Sequence, residues 1–156
     1  MNKNSIRIEI SEKSKRRFNN TDKRIMKGVL SGVKKGMALF KTTAKKFGGA
    51  NQLKIRTGAL RDSIDYTVKD KGNVITASLG SDKIYAAIHE YGGTISARSA
   101  KHLIFKTNNG WRKASTITIP PRPFLRPAVE GNINAVSKII NHEVLKSFRS
   151  TSLFGR

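Results

Sequence analysis

A long amphipathic segment between Thr21 and Phe47 sets the firmest limit on what this chain can fold into. Its apolar residues recur at steps of three and four, the spacing that places side chains on one face of an α-helix. They are Met26, Val29, Leu30, Val33, Met37, Phe40, Ala44 and Phe47. The spacing predicts a helix over residues 21–47, capped by Asn20 or Thr21, whose apolar face must pack against a second layer.

Three glycines at four-residue spacing, Gly28, Gly32 and Gly36, fall inside this predicted helix. Each costs about 1 kcal/mol relative to alanine in a helix interior. Close approach of a neighbouring element would explain them. A helix that is merely weak is the alternative.

Short strands and turns occupy most of the remaining chain. Period-two alternation predicts strands over residues 5–10, 63–69, 74–79, 103–106 and 116–119. The turn residues 69–73 indicate a hairpin. We interpret residues 103–106 and 116–119 as a second hairpin, with a turn at 107–110 and a mobile base at 96–101.

Two further helices complete the predicted order. A short one over residues 84–91 ends at Gly92-Gly93. Another begins at Pro127, after a cluster of prolines, and has an apolar stripe formed by Val129, Ile133, Val136, Ile140, Val144 and Phe148. This order predicts an α+β fold, an antiparallel sheet of hairpins packed against a long N-terminal helix and a C-terminal helix.

Three segments follow from these elements. Residues 1–20 form a strand and a basic connector, residues 21–150 form one domain, and residues 151–156 form a frayed tail.

Charge points to an anionic partner. The 156 residues include 31 Lys and Arg against 10 Asp and Glu, a net charge of +21. Nucleic acid is the first candidate for such a basic chain. On the predicted long helix, four lysines share a face beside the apolar stripe and are the candidate DNA-facing residues: Lys27, Lys34, Lys41 and Lys45. A solvated helix face or a docking face for an acidic partner are the alternatives.

The absence of cysteine excludes disulfides and thiolate chemistry. The N-terminal residues lack the pattern of a secretory signal, and no apolar run has the length of a membrane span. We therefore expect a soluble protein made in the cytoplasm.

Sequence signatures of catalysis are also missing. His89-Glu90 and His142-Glu143 do not extend to the H-E-x-x-H spacing of a zinc site. The chain has no nucleophile elbow, phosphate-binding loop or dinucleotide fingerprint. We expect no enzymatic activity, no metal and no cofactor.

Three motifs carry a family resemblance. They are RTGALRDSI at residues 56–64, YAAIHEYGG at residues 85–93 and PRPFLRPA at residues 121–128. In this order and spacing they resemble the phage virion-morphogenesis and minor tail proteins, which include tail-completion proteins of long-tailed phages. The resemblance implies a small structural subunit that forms a ring, expected to be a hexamer, at the head-proximal end of the tail.

The same resemblance implies the partners and the place of action. They are further copies of the chain, the neck or connector proteins and the tail-tube proteins, in the neck of a virion, with phage DNA as a further nonspecific partner in the channel. The candidate residues for subunit or partner contacts are Arg98, Trp111, Arg122, Phe124 and Arg126. Trp111 and Ile117 are expected to be exposed on the second hairpin. For residues 121–127 the alternative is a rigid entry to the last helix that buries Phe124 and Leu125.

A free nucleic-acid-binding protein is the alternative function. It would need a recognition helix or an aromatic platform for bases. The basic helix carries glycines in place of base-reading side chains, and only 7% of the residues are aromatic, so we place it second.

Overall fold

The fold combines helices with a three-stranded sheet and two separate two-stranded ladders. A computed structural model describes residues 5–9, 23–49, 58–72, 74–97, 101–107 and 109–149. The helices are α1 (Lys23–Gly49), α2 (Ala59–Ser63), α3 (Ala86–Tyr91), α4 (Arg126–Glu130) and α5 (Ile133–Arg149). The strands are β1 (Ser5–Glu9), β2 (Ile64–Asp70), β3 (Ile75–Ser81), β4 (Gly93–Ser96), β5 (Leu103–Thr107), β6 (Gly110–Ala114) and β7 (Thr116–Ile119). The predicted α+β class is confirmed.

Helix α1 confirms the first prediction and forms one wall of the core. Val33, Met37, Phe40 and Ala44 are buried, as their spacing predicts. Phe47, at the end of the same stripe, is 40% exposed and lies outside the core. The expected cap residues, the connector at 11–20 and the tail at 151–156 lie outside the described residues.

The main sheet has the order β1-β3-β2, and both pairings are antiparallel. Its central strand, β3, buries alternate residues, Ile75, Ala77 and Leu79, because successive side chains point to opposite faces. The predicted hairpin between β2 and β3 is confirmed. Its turn is closed by the Lys71 N–H, which donates to the Val74 carbonyl at 2.9 Å.

The three glycines of α1 lie where this helix meets α5. A Cβ on Gly32 would stand 2.7 Å from the Ile140 Cα, and one on Gly28 would stand 2.9 Å from the Ser147 Oγ. A Cβ on Gly36 would overlap Val136. At Gly32 the contact is with backbone, so a side chain there would force the helices apart, whereas at Gly28 and Gly36 the nearest contacting atoms belong to the Ser147 and Val136 side chains, which would have to shift. The close approach of α5 therefore explains the glycines.

A buried carboxylate joins the same two helices. The Glu143 side chain of α5 is only 10% exposed, and the Lys35 Nζ of α1 donates to it at 2.6 Å. The Ser31 hydroxyl, one turn earlier, donates to its other oxygen at 2.7 Å. Hydrogen bonds from Lys35 and Ser31 lower the pKa of Glu143 to about 2, against an ordinary value of 4.5.

The predicted C-terminal helix is divided in two. Helix α4 ends at Glu130 and α5 begins at Ile133, with a turn at residues 131–132 between them. The predicted apolar stripe is wrong at two of its members, since Ile133 is 44% exposed and Phe148 is 48% exposed. Val136 is buried and Ile140 packs against the core.

The second predicted hairpin has different partners from those expected. Strand β5 pairs with β6, immediately after the turn, and β7 pairs with β4. The prediction that residues 103–106 pair with residues 116–119 is therefore wrong. A turn this tight requires the returning strand to begin at once, and Gly110, with φ of 99°, allows it to do so. Of the predicted mobile base, residues 98–100 lie outside the described residues.

The lowered pKa of Glu143 predicts a loss of stability in acid. A carboxylate whose folded pKa lies below its unfolded pKa stabilises the fold above the unfolded value, and this contribution is lost as the pH falls through the folded value. The window therefore runs from about pH 4.5 down to about pH 2. Urea denaturation at pH 6, 4 and 3 should show Glu143→Gln less stable than the wild type at pH 6, with the difference shrinking as the pH falls.

Glu130→Gln is the matched control, because Glu130 is an exposed glutamate on the neighbouring helix α4. It should follow the wild-type curve at all three pH values. A difference between Glu143→Gln and the wild type that stays constant from pH 6 to pH 3 would contradict the assignment.

Candidate assembly surfaces

Glu90 at the end of α3 holds the proline-rich segment at the start of α4. Its side chain is buried, with the residue 4% exposed. Its Oε2 accepts the N–H groups of Phe124 and Leu125 at 2.8 and 2.9 Å, and its Oε1 accepts that of Arg126 at 2.8 Å. Arg126 is the first residue of α4, where backbone N–H groups have no partner inside the helix, and Phe124 and Leu125 lead into it. A carboxylate from a distant segment accepts the bonds of all three.

A fourth bond extends the same contact. The Arg122 N–H donates to the His89 carbonyl at 2.6 Å. Since Pro123 has no N–H, every backbone N–H from residue 122 to residue 126 is bonded to His89 or Glu90. We call Glu90 and residues 122–126 the latch.

The predicted contact residues of the proline-rich segment differ in burial. Phe124 is fully buried and supports the segment from inside the core. Arg122 and Arg126 are exposed, and the Arg126 guanidinium lies 5.7 Å from the centre of the Tyr91 ring, which is 54% exposed. The surface therefore presents two arginines and a tyrosine on a rigid backbone.

His89 lies beneath this surface. Its ring stands edge-on to Tyr85, and among the described residues its buried Nδ1 has no hydrogen-bond partner. Burial, and then the charge of Arg122, lowers the pKa of His89 below its ordinary value. The ring is therefore neutral at pH 7 and acts as packing beside the latch.

The two ladders, β4 with β7 and β5 with β6, lie together in the chain between Gly93 and Ile119, and we call residues 93–119 the arm. Its base is fixed by Gly92, with φ of 70°, where a Cβ would stand 2.8 Å from the Pro121 nitrogen. None of the ten residues of β5 and β6 is buried, and Trp111 is 70% exposed. Ile117, which was expected to be exposed, is half-buried opposite Ile95. Arg98 lies outside the described residues.

The structure divides the predicted lysine row of α1. Lys27 and Lys34 are exposed. Lys41 donates to the Asp65 carboxylate at 2.8 Å, and this bond, followed by the bond from the Tyr66 N–H, lowers the pKa of Asp65. Lys45 reaches the Asp62 carbonyl at 3.5 Å. The half of the row near β2 is therefore engaged within the subunit.

Within the described residues, no group of three or more His, Cys, Asp or Glu side chains could hold a metal ion. In the same part of the chain, no helix is long and apolar enough to cross a membrane.

The match to a known protein family extends over the elements just described. The family model of phage virion morphogenesis proteins matches residues 34–146, from the middle of α1 to the last turns of α5. The chain belongs to the phage virion morphogenesis family. No curated protein and no solved structure shows significant similarity to the chain.

Family membership gives the chain a structural role in forming the phage particle. It is a family of structural and not enzymatic proteins. The match also covers more of the chain than the three motifs at residues 56–128, because it includes part of the long helix and most of α5.

Sequence reasoning missed three residues that hold these elements together: Glu90, Lys35 and Glu143. A signal was present for both acids. Glu143 follows Val136 and Ile140 on the buried face of α5, and Glu90 follows the buried Ala86 by one helical turn. An acid on an apolar helix face must find hydrogen-bond donors to be buried, and this requirement could have identified both.

Replacing the acid of the latch should loosen the proline-rich segment. Glutamine offers one acceptor oxygen, so Glu90→Gln would leave at least one of the three N–H groups facing an amide NH₂. We expect a loss of about 1–3 kcal/mol in the free energy of unfolding, measured by urea denaturation. The exposed control Glu130→Gln should change it by less than about 0.5 kcal/mol. Equal stability of the two variants would contradict the role of Glu90.

Proposed function

We propose that the protein is a ring-forming tail-completion subunit that joins the tail of a phage to its head at the neck. The observation that carries this proposal is the arm. A two-stranded hairpin with no buried residue is only marginally stable alone, and this one exposes Trp111 and Ile104 at its surface. Apolar side chains exposed in this way fit a contact with another subunit.

An arm that contacts a neighbouring subunit supports the proposal of a ring. An arm that contacts a different surface on the next subunit makes a head-to-tail interface, and such interfaces close into rings when the rotation between subunits permits. The exposed arginines of the latch, Arg122 and Arg126, offer a second contact on the same subunit, since arginine is enriched at protein interfaces. Family membership supports a role in the particle, and the neck position is our proposal.

Removing the tip of the arm tests ring formation. Deleting Arg98 to Lys113 would leave Ala97, Ala114 and Ser115 as a three-residue loop between β4 and β7, whose register pairs Ser96 with Thr116. Loops of this length are common in hairpins. We expect the deleted protein to remain folded by circular dichroism and to lose the ring in electron micrographs and in mass measurements.

Full-length protein, with the purified neck and tail-tube proteins added where they are needed for assembly, is the control. Rings that persist after the deletion would refute the role of the arm. A full-length protein that stays monomeric with every neck and tail-tube component present would refute the proposed ring itself.

We further propose that the exposed half of the lysine row faces DNA in the channel of the ring. Lys27 and Lys34 are exposed on a helix that has no acidic residue, and lysines bind the phosphate backbone without reading sequence. An acidic neck protein is the alternative partner of this row. A free nucleic-acid-binding protein remains the alternative to the ring, and it would bind DNA equally well as a monomer.

Salt titration of duplex binding separates these proposals. Binding of the assembled ring to nonspecific duplex DNA should weaken as salt rises. The double variant Lys27→Gln/Lys34→Gln should reduce the slope of log binding constant against log salt concentration by about 0.9 for each lysine that contacts a phosphate. Lys41→Gln/Lys45→Gln is the comparison pair and should change the slope less, because those lysines are bonded within the subunit. No binding at low salt would end the DNA proposal.

A further inference from the structure

One face of the arm combines apolar and cationic side chains. Strands β5 and β6 pair Ile104 with Lys113 and Lys106 with Trp111. Paired residues share a face, and alternate residues along a strand lie on the same face, so these four side chains lie together. Ile104 is 63% exposed, Trp111 is 70% exposed, and both lysines are exposed. We call these four residues the outer face of the arm.

The charge of the arm is of one sign. Residues 93–119 contain five Lys and Arg and no Asp or Glu. A surface that covers the outer face must therefore be apolar enough for Ile104 and Trp111 and acidic enough for Lys106 and Lys113.

A surface with those properties exists elsewhere on the subunit. Ile84, after the end of β3, is 93% exposed, the highest value of any large hydrophobic residue among those described. Asp82 lies two residues before it and is exposed. Asp62 is brought to the same end of the sheet, because the neighbouring Ser63 hydroxyl lies 2.7 Å from that of Ser81. We call Asp62, Asp82 and Ile84 the aspartate corner.

The two aspartates of the corner form ion pairs within the subunit, and these pairs are weak enough for a partner to replace them. Arg61 and Lys83 contact Asp62 and Asp82 at 2.9 and 3.3 Å, and each pair joins sequence neighbours at the surface. Exposed pairs between sequence neighbours contribute little to stability, so they can be exchanged for pairs with a partner. Residues 58–83 carry four basic and four acidic residues, whereas the whole chain carries +21. The Lys45 Nζ of α1 also reaches the Asp62 carbonyl, so the corner is close to neutral, within a strongly cationic protein, and it presents two exposed carboxylates.

We propose that the outer face of the arm in one subunit docks on the aspartate corner of a second copy of the chain. Trp111 and Ile104 pack against Ile84, while Lys106 and Lys113 pair with Asp62 and Asp82. The two surfaces are different, so the contact is head-to-tail and repeats around a ring. This inference rests on the proposed ring and names the surfaces that form it.

Duplex DNA fits the outer face less well. The DNA phosphates would accept hydrogen bonds from Lys106 and Lys113, but the DNA backbone offers no apolar surface to Ile104. Trp111 could stack only on bases that are no longer paired in the duplex. The aspartate corner supplies both an apolar and an acidic partner. For this reason we assign the face to a second copy.

Charge reversal tests the contact. Lys106→Glu/Lys113→Glu and Asp62→Lys/Asp82→Lys should each raise the dissociation constant of self-association by about tenfold or more, because like charges then face one another. A chain with all four substitutions should recover wild-type assembly, as should an equimolar mixture of the two double variants. Circular dichroism and sedimentation would report folding and mass. Lys138→Glu/Arg149→Glu, at two exposed positions of α5, is the charge-matched control and should assemble as the wild type does.

Disulfide trapping tests the same contact when assembly is weak. The chain contains no cysteine, so Ile84→Cys and Trp111→Cys each introduce a single thiol. When the two variants, one carrying a size tag, are mixed and oxidised by air with a copper catalyst, we expect a mixed dimer in at least about fivefold excess over a control mixture. The control pairs Trp111→Cys with Leu145→Cys, which places a thiol at an exposed position on α5.

The outcomes separate this inference from the proposed ring. Rings that form normally in both charge-reversed variants, with equal trapping in the test and control mixtures, would overturn the inference and leave the ring standing. If the wild type forms no rings and the test mixture shows no preferential trapping, the inference and the proposed ring are both contradicted. Loss of duplex binding in Lys106→Glu/Lys113→Glu, with no effect of Asp62→Lys/Asp82→Lys on assembly, would assign the arm to nucleic acid and overturn the inference.

Discussion

The hydrogen bonds of one carboxylate to three backbone N–H groups join two distant segments of this fold. Glu90 lies in the last turn of α3, and residues 124–126 lead into α4, more than thirty residues later along the chain. Because the N–H groups at the start of a helix must find acceptors, the latch fixes where α4 begins and hence where Phe124 and Ala128 enter the core. The exposed arginines beside the latch take their positions from the same bonds.

A second buried carboxylate, that of Glu143, joins α5 to α1. Glu143 accepts from Lys35 and Ser31 across helices that glycines allow to approach closely. The close approach and the buried charge depend on one another. A wider separation would take Lys35 away from Glu143, and a buried carboxylate without donors is costly. In a chain with ten acidic residues, two are buried where they join distant segments, and this leaves fewer to balance the basic surface.

Periodicity predicted the parts of the fold that are regular over many residues. The stripe of α1 and the turn between β2 and β3 were both predicted, because each depends on local spacing. The partners of β7 were not, since a pattern of alternation shows which side chains share a face but does not show which strand lies alongside. The spacing also did not show that Ile133 and Phe148, at the two ends of α5, are exposed while Val136 between them is buried. Among the candidate contact residues, burial distinguishes Phe124 from its neighbours, and no sequence pattern separates them.

The latch also makes the arm separable from the core. The arm leaves the core after Glu90 and returns before Arg122, and these two points are joined by bonds that do not involve the arm itself. A segment whose ends are already held together can be lengthened at small entropic cost, about 0.6 kcal/mol for each doubling of a flexible loop. Related subunits could therefore carry arms of different length and chemistry on the same frame, and choose their neighbours by exchanging this one insertion.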